Sequence, residues 1–376
     1  MQYITFGKTG LKTSRFGMGC MRFPTKDDNI DEKEAIKMIR YAIDNGVNYL
    51  DTAYPYHNGE SKVVLGKALK DGYRERTHIA TKSPVWLVEK YEDFEKYLDE
   101  QLERLQTDHV EIYLLHALSE KSWKKIKNLG ALKFLDEARR KGKIKFAGFS
   151  FHDKYPTFKG IIDSYNWDMC QIQLNILDQE YQAGVKGLKY ASGKGIPVVI
   201  MEPLRGGKLA QPSSKEIEEV YNKADVKRTP VEWAFRWLYN LSEVSVILSG
   251  VSSLEQLKED IEIFDKAKTG VMTNDEKQII ERVINVYNDK IQVNCTGCNY
   301  CMPCPSKVQI PTIFSWYNDS IMYDEKEKNS KHYKNLQEKK GDVSRCIECG
   351  QCEDACPQNL NVIELLKEAH NYLTGK

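Results

Sequence analysis

From residue 14 onward the chain alternates, with short β-rich segments taking turns with longer amphipathic ones. Eight candidate strands can be marked, at 14–18, 49–51, 78–81, 110–115, 144–148, 169–173, 197–201 and 244–248. Between them lie stretches such as "DEKEAIKMIRYAIDNG" (31–46) and "DFEKYLDEQLERLQ" (93–106), whose apolar residues recur at three and four. "LKFLDEARRKGKI" adds Lys and Arg toward a helix end and a glycine stop, which the helix dipole and the left-handed C-cap favour. Parallel strands need crossovers long enough to hold a helix, and eight such units over about 250 residues fit a (β/α)8 TIM barrel better than a doubly wound sheet. A dinucleotide fingerprint would need three glycines after the first strand, and "GMGCMR" (17–22) has only G-x-G, so it reads as a tight loop. Before it, "YITFG" and "SRFGMG" around the turn "KTG" read as a hairpin leading into the first strand.

The balance of 55 basic against 54 acidic residues leaves a formal net charge of +1, which gives no footing for nucleic acid or an anionic membrane as a partner. The first nineteen residues hold no unbroken apolar stretch of signal-peptide or membrane-span length, and the expectation is a cytoplasmic protein. Ten cysteines in a reducing compartment argue for metal rather than disulfides where their spacing is regular. Cys20 and Cys170, which stand alone, read as small buried hydrophobes.

In barrels of this kind chemistry gathers at the carboxyl ends of the strands. Asp51 ends the second strand, Tyr56 follows in its loop, Lys82 ends the third, and His116 ends the fourth. Singly these are a capping Asp, a core Tyr, a surface Lys and a satisfied His; together they form a chemical set. A phenol with a pKa near 10 is a poor acid at neutrality. A neighbouring ammonium stabilises its phenolate, which would be the role of Lys82, with Asp51 holding Lys82 and His116 orienting a carbonyl oxygen.

"DTAYPYHNGES" (51–61), "IATKSP" (79–84) and "LLHA" (114–117) resemble the aldo-keto reductase family, and the likeness covers residues 1 to about 285. It implies a catalytic tetrad at Asp51, Tyr56, Lys82 and His116, a small aldehyde or ketone as substrate, and NADP(H), or alternatively NAD(H), as cofactor. By the same likeness Ser150 and Gln171 would hold the nicotinamide carboxamide. "MEPLRGG" would contribute Met201, Leu204, Arg205 and Gly206, and "SGVSSLEQLKED" Ser249, Gly250, Ser252, Gln256 and Glu259, to the rest of the dinucleotide. A Gly/Ser loop entering a helix presents N–H groups to phosphate, although taken alone the same stretch reads as a plain N-capped helix. The sequence departs from the family at Phe151, where many members have Asn, at Met201, where an aromatic often stacks on nicotinamide, and at Asp260, where Asn is common. Lys258 is the one cation that residues 251–260 offer to a 2′-phosphate.

Past residue 285 the periodicity gives way to cysteine and proline. "CTGCNYCMPCP" (295–305) and "CIECGQCEDACP" (346–357) are separated by the charged run 324–342, which reads as a solvated helix or linker. The second is the C-x2-C-x2-C-x3-C-P run of bacterial two-cluster ferredoxins, and the first is the same device with its last gap shortened. Structural zinc needs two C-x-x-C pairs and leaves the third cysteine and the closing Cys-Pro unexplained. In the ferredoxin pattern the fourth cysteine serves the other cluster. Carried over, Cys295, Cys298, Cys301 and Cys356 would hold one [4Fe-4S] cluster and Cys346, Cys349, Cys352 and Cys304 the second, with Pro305 and Pro357 turning the chain away. The expected organisation is a barrel over 1–285 and a small, mainly helical ferredoxin-like domain over 286–376, like the tail on a subset of the family. A redox partner, ferredoxin or flavoprotein, is implied. Clusters pass single electrons and a nicotinamide passes two as hydride, so a flavin would be needed to join them. The competing reading is an electron-transfer or docking protein whose barrel is a partner-binding scaffold with an idle tetrad.

Overall fold

The computed structural model describes every residue except 296, 298–300 and 357. Two compact units emerge, one of residues Met1–Gly207 and Val231–Thr273, the other of Lys208–Pro230 and Asn274–Lys376.

The first unit is a closed barrel of eight parallel strands, each bonded to its neighbours in chain order. They are β1 (Phe16–Gly19), β2 (Tyr49–Asp51), β3 (His78–Ser83), β4 (Val110–Leu118), β5 (Ile144–Phe151), β6 (Met169–Gln173), β7 (Val198–Met201) and β8 (Val244–Ser249). β1 begins two residues later than its sequence signal because Lys12–Ser14 pair antiparallel with Tyr3–Thr5 as the expected hairpin. β4 and β5 run three residues past their apolar signal. Leu118 still pairs with Phe151 after a register shift beyond Leu115, so pairing resumes past the polar His116 and Ser150 that interrupt the apolar run.

Side chains on a strand alternate between faces, and that period selects both the core and the site. Tyr49, Ala80, Ile112 with Leu114, Met169, Val199, and Val246 with Leu248 form one buried cluster together with Phe6, brought in by the hairpin. Two residues beyond Tyr49, Ala80, Leu114 and Met169 stand Asp51, Lys82, His116 and Gln171, so the polar positions lie one layer above the apolar ones.

Outside the barrel, α1 (Glu32–Asp44) starts where the Asp31 carboxylate accepts the Glu34 N–H at 3.2 Å. α2 (Glu60–Ala68) follows the Tyr56 loop and packs on α3 (Glu92–Leu105). In the second unit, the helices Ile310–Met322, Lys326–Glu338 and Val362–Thr374 enclose a core that includes Ile313, Phe314, Tyr333, Leu366 and Ala369. The charged run is therefore a helix, but not a fully solvated one. Asn329 and Tyr333, one turn apart, are buried, and the Tyr333 hydroxyl accepts the Val343 N–H at 3.2 Å. Among the described residues no helix is long and apolar enough to cross a membrane.

Gly66 is the close-approach point between α2 and α3. A Cβ there would lie 2.7 Å from the Leu105 carbonyl oxygen, a backbone atom that cannot swing aside. Alanine improves helix propensity by up to about 1 kcal/mol, whereas overpacking costs about 1–3 kcal/mol. Gly66→Ala is therefore expected to lower the barrel's thermal midpoint by a few degrees, and an unchanged or raised midpoint in calorimetry would show that the two helices can part.

Candidate active site and cluster pocket

A cavity of about 500 Å³ opens at the carboxyl ends of the strands, and Asp51, Tyr56, Lys82 and His116 all line it. Strand alternation delivers Asp51, Lys82 and His116. Tyr56 comes from a loop whose left-handed turn at His57, Asn58 and Gly59 (φ 49°, 55° and 95°) reverses the chain into α2.

The Lys82 ammonium is 2.6 Å from Asp51 Oδ1 and donates to the Thr52 carbonyl at 2.9 Å, with almost no exposure on either partner. Burial works against its charge, but Asp51 and the Tyr56 phenol outweigh burial and hold Lys82 above its usual range. It lies 5.1 Å from the centre of the Tyr56 ring. Sequence reasoning anticipates a phenol made more acidic by this charge. Here the net shift is upward, because burial outweighs Lys82, so the resting phenol keeps its proton. The His116 ring stands edge-on to Tyr56 at 6.4 Å between centroids. Burial and the Lys82 charge push His116 down to about 2, which makes it a neutral imidazole at any physiological pH. Its Nδ1 is buried without a partner.

Next to this set, the Ser150 hydroxyl oxygen accepts the Ala117 N–H at 2.7 Å, leaving its proton to give. Gln171 directs its amide nitrogen to the Met201 sulfur at 3.6 Å, and its buried carbonyl oxygen has no partner. One donor and one acceptor side by side are what a carboxamide needs, so the residues fit a nicotinamide. Met201, Leu204, Gly206, Ser249, Gly250, Ser252 and Gln256 line the same cavity. Arg205 and Glu259 do not; Arg205 faces Asp178 at 3.6 Å. Gln256 accepts the Ser252 N–H at 2.9 Å, while Ser253 caps the helix Leu254–Asp265. The stretch is thus an N-capped helix whose first turn borders the cavity. Burial pushes Asp260 up to about 7, with the Ser249 hydroxyl opposing.

Three side chains escaped the sequence reading. Arg22 lines the cavity with its stem 3.3 Å from the position a Cβ would take on Gly250, and its signal is the arginine ending "GMGCMR". His152 also lines it, two residues beyond Ser150 on the same alternation. Lys62 is completely buried on α2, with nothing in its local sequence to mark it.

In the second unit a separate cavity of about 190 Å³ is lined by Cys301, Cys304, Cys346, Cys349 and Cys352 among apolar neighbours such as Ile310 and Leu366. Cys304, from the first cysteine run, thus meets three cysteines of the second. Cys295 and Cys356 pack against the same core without lining this cavity. Cys298 and Pro357 lie outside the described residues. Among the described residues no three His, Cys, Asp or Glu side chains surround a single metal-ion position. A cubane asks for something else, four thiolates on four different irons within an apolar shell, and the cavity offers that chemistry.

Residues 15–284 match the aldo/keto reductase family and residues 294–361 match a 4Fe-4S dicluster domain. Similar curated proteins include aldo-keto reductase YhdN of Bacillus subtilis, 26% identical over 326 residues that span 74% of this chain and 92% of the relative. L-galactose dehydrogenase of Arabidopsis thaliana is 28% identical (68% and 85% covered), and NADH-specific methylglyoxal reductase of Escherichia coli is 25% identical (69% and 93%). Among solved structures, the holo form of aldo-keto reductase AKR11C1 from Bacillus halodurans superposes with a TM-score of 0.64 at 24% identity, covering 75% of this chain and 96% of that one, a likeness of fold.

Cys304→Ser is expected to damage the cluster whose other ligands would be Cys346, Cys349 and Cys352. Electron paramagnetic resonance of the reduced variants reads this directly. Loss of the signal shared with a Cys298 variant, with retention of the one shared with Cys349, would contradict cross-ligation.

Proposed function

This chain belongs to the aldo/keto reductase family, and from that premise we propose that its barrel reduces a small aldehyde or ketone with a nicotinamide cofactor at Tyr56, Lys82, Asp51 and His116. The observation that carries the reading is the convergence of the Tyr56 phenol, the buried Lys82–Asp51 pair and the His116 imidazole on one cavity. A substrate carbonyl oxygen sits between the Tyr56 hydroxyl and His116. When bound, the nicotinamide supplies hydride to the carbonyl carbon. As negative charge grows on the oxygen, Tyr56 donates its proton there and Lys82 stabilises the phenolate left behind. Asp51 keeps Lys82 charged and aimed. Neutral His116 orients the oxygen by hydrogen bonding without competing as an acid.

Ser150 and Gln171 would hold the carboxamide of the nicotinamide, one as donor and the other as acceptor. NADP(H) is the form the resemblance implies, while the Escherichia coli relative is by its name NADH-specific. The 4Fe-4S dicluster domain carries electrons one at a time, so exchange with a two-electron hydride requires a group that can do both, such as a flavin in the barrel mouth or on a partner flavoprotein.

Tyr56→Phe removes the donated proton and little else. Carbonyl reduction should fall by about 10²- to 10⁴-fold, with NADPH affinity in fluorescence titration close to that of the parent. Parent-level reduction of a good substrate by the variant would refute the assignment.

A further inference from the structure

Lys62 is a buried cation that the proposed reaction does not use. It projects from α2 with no exposed surface, and its ammonium donates to the Ala53 carbonyl, two residues after Asp51. The Tyr54 ring lies 5.7 Å away. No carboxylate stands within ion-pair distance of Lys62 among the described residues, in contrast to Lys82 with its Asp51. The groups that face it are mostly cationic or already engaged. Arg104 of α3 lies 5.2 Å from the centre of the Tyr54 ring, and Glu100 on the same helix is taken by the Tyr54 hydroxyl at 2.9 Å and by Arg104 at 4.0 Å. From the barrel come Lys82, Asp51 and the Cys20 thiol, and beyond them His116.

An ammonium out of water without a counter-ion is costly to keep charged, and such groups give up their proton early. Burial, with Arg104 and Lys82 adding to it and Cys20 and Asp51 opposing, pushes Lys62 down to about 7. Its charge is felt inside the tetrad, where it favours ionised Asp51 and neutral His116.

Resting on the carbonyl-reducing reading above, we propose that Lys62 is a positioning residue of that site, whose ammonium, buried against the Ala53 carbonyl without a counter-ion, sets the potential around Asp51, Lys82 and His116. With Lys62 charged, the phenolate left after proton donation is better stabilised, so reduction is faster on the acid side. The proton itself is exchanged with water as the pH changes, and no bond in substrate is altered by Lys62.

The test uses the cluster-replete full chain and two variants. Lys62→Gln keeps a donor for the Ala53 carbonyl without the charge, and Lys62→Met removes both. In the parent, kcat/KM for carbonyl reduction should fall about three- to tenfold through an ionisation near neutrality. Lys62→Gln should lack that ionisation and run at the parent's high-pH level. Retention of the ionisation in Lys62→Gln overturns the proposal and leaves Lys62 a simple strut.

A second measurement needs no substrate. Because the folded-state pKa is depressed, unfolded chain binds the extra proton between about 7 and the usual lysine range, so parent stability falls as pH falls through that window and is level below it. The thermal midpoint of Lys62→Met minus that of the parent should therefore rise from about pH 10 to about pH 7 and then level; a constant difference overturns the proposal. A parent that reduces no carbonyl overturns the reading of the barrel, and the unfolding comparison tells that failure apart.

Discussion

Asp51 and Lys82 are both cut off from water and held 2.6 Å apart, and the proposed chemistry depends on that pair. A lone ammonium there would shed its proton, as unpaired Lys62 tends to do one helix away; Asp51 prevents it. The pair is in turn a product of the barrel. β2 and β3 are neighbours, and their alternation puts Tyr49 and Ala80 in the apolar layer and Asp51 and Lys82 two residues above. Closing the barrel and making the site are one geometric event.

The strand alternation was legible in sequence because apolar residues mark it, and the convergence of Asp51, Lys82 and His116 on one cavity because polar residues at strand ends interrupt it. What could not be read has three physical sources. Strand ends at 115 and 148 were set too early, since the polar His116 and Ser150 interrupt the apolar run and pairing resumes beyond a register shift, at Leu118 with Phe151. The Lys82 charge that favours the Tyr56 phenolate was visible as a residue, whereas the burial that outweighs it is a property of the packed loop. Lys62 and Arg22 were passed over because a lysine on a helix and an arginine after a glycine loop look solvated until the fold buries one and turns the other over a cavity.

The cysteine runs were legible for a different reason. Ligand spacing is local and regular, and nothing else in the tail competes with it. Their pairing is not local. Cys304 lies beside Cys346, Cys349 and Cys352 because the helices between the two runs share one core, with Tyr333 buried in a segment whose charge suggested exposure.

The most direct measurement follows the hydrogen. With NADPH deuterated at the transferring C4 position and a carbonyl substrate, the account predicts deuterium on the former carbonyl carbon of the product, at full occupancy and in one configuration, while the hydroxyl proton comes from water through Tyr56. Product carrying solvent hydrogen at that carbon would contradict it, since electrons would then have reached the substrate by way of clusters or flavin rather than as hydride within the barrel.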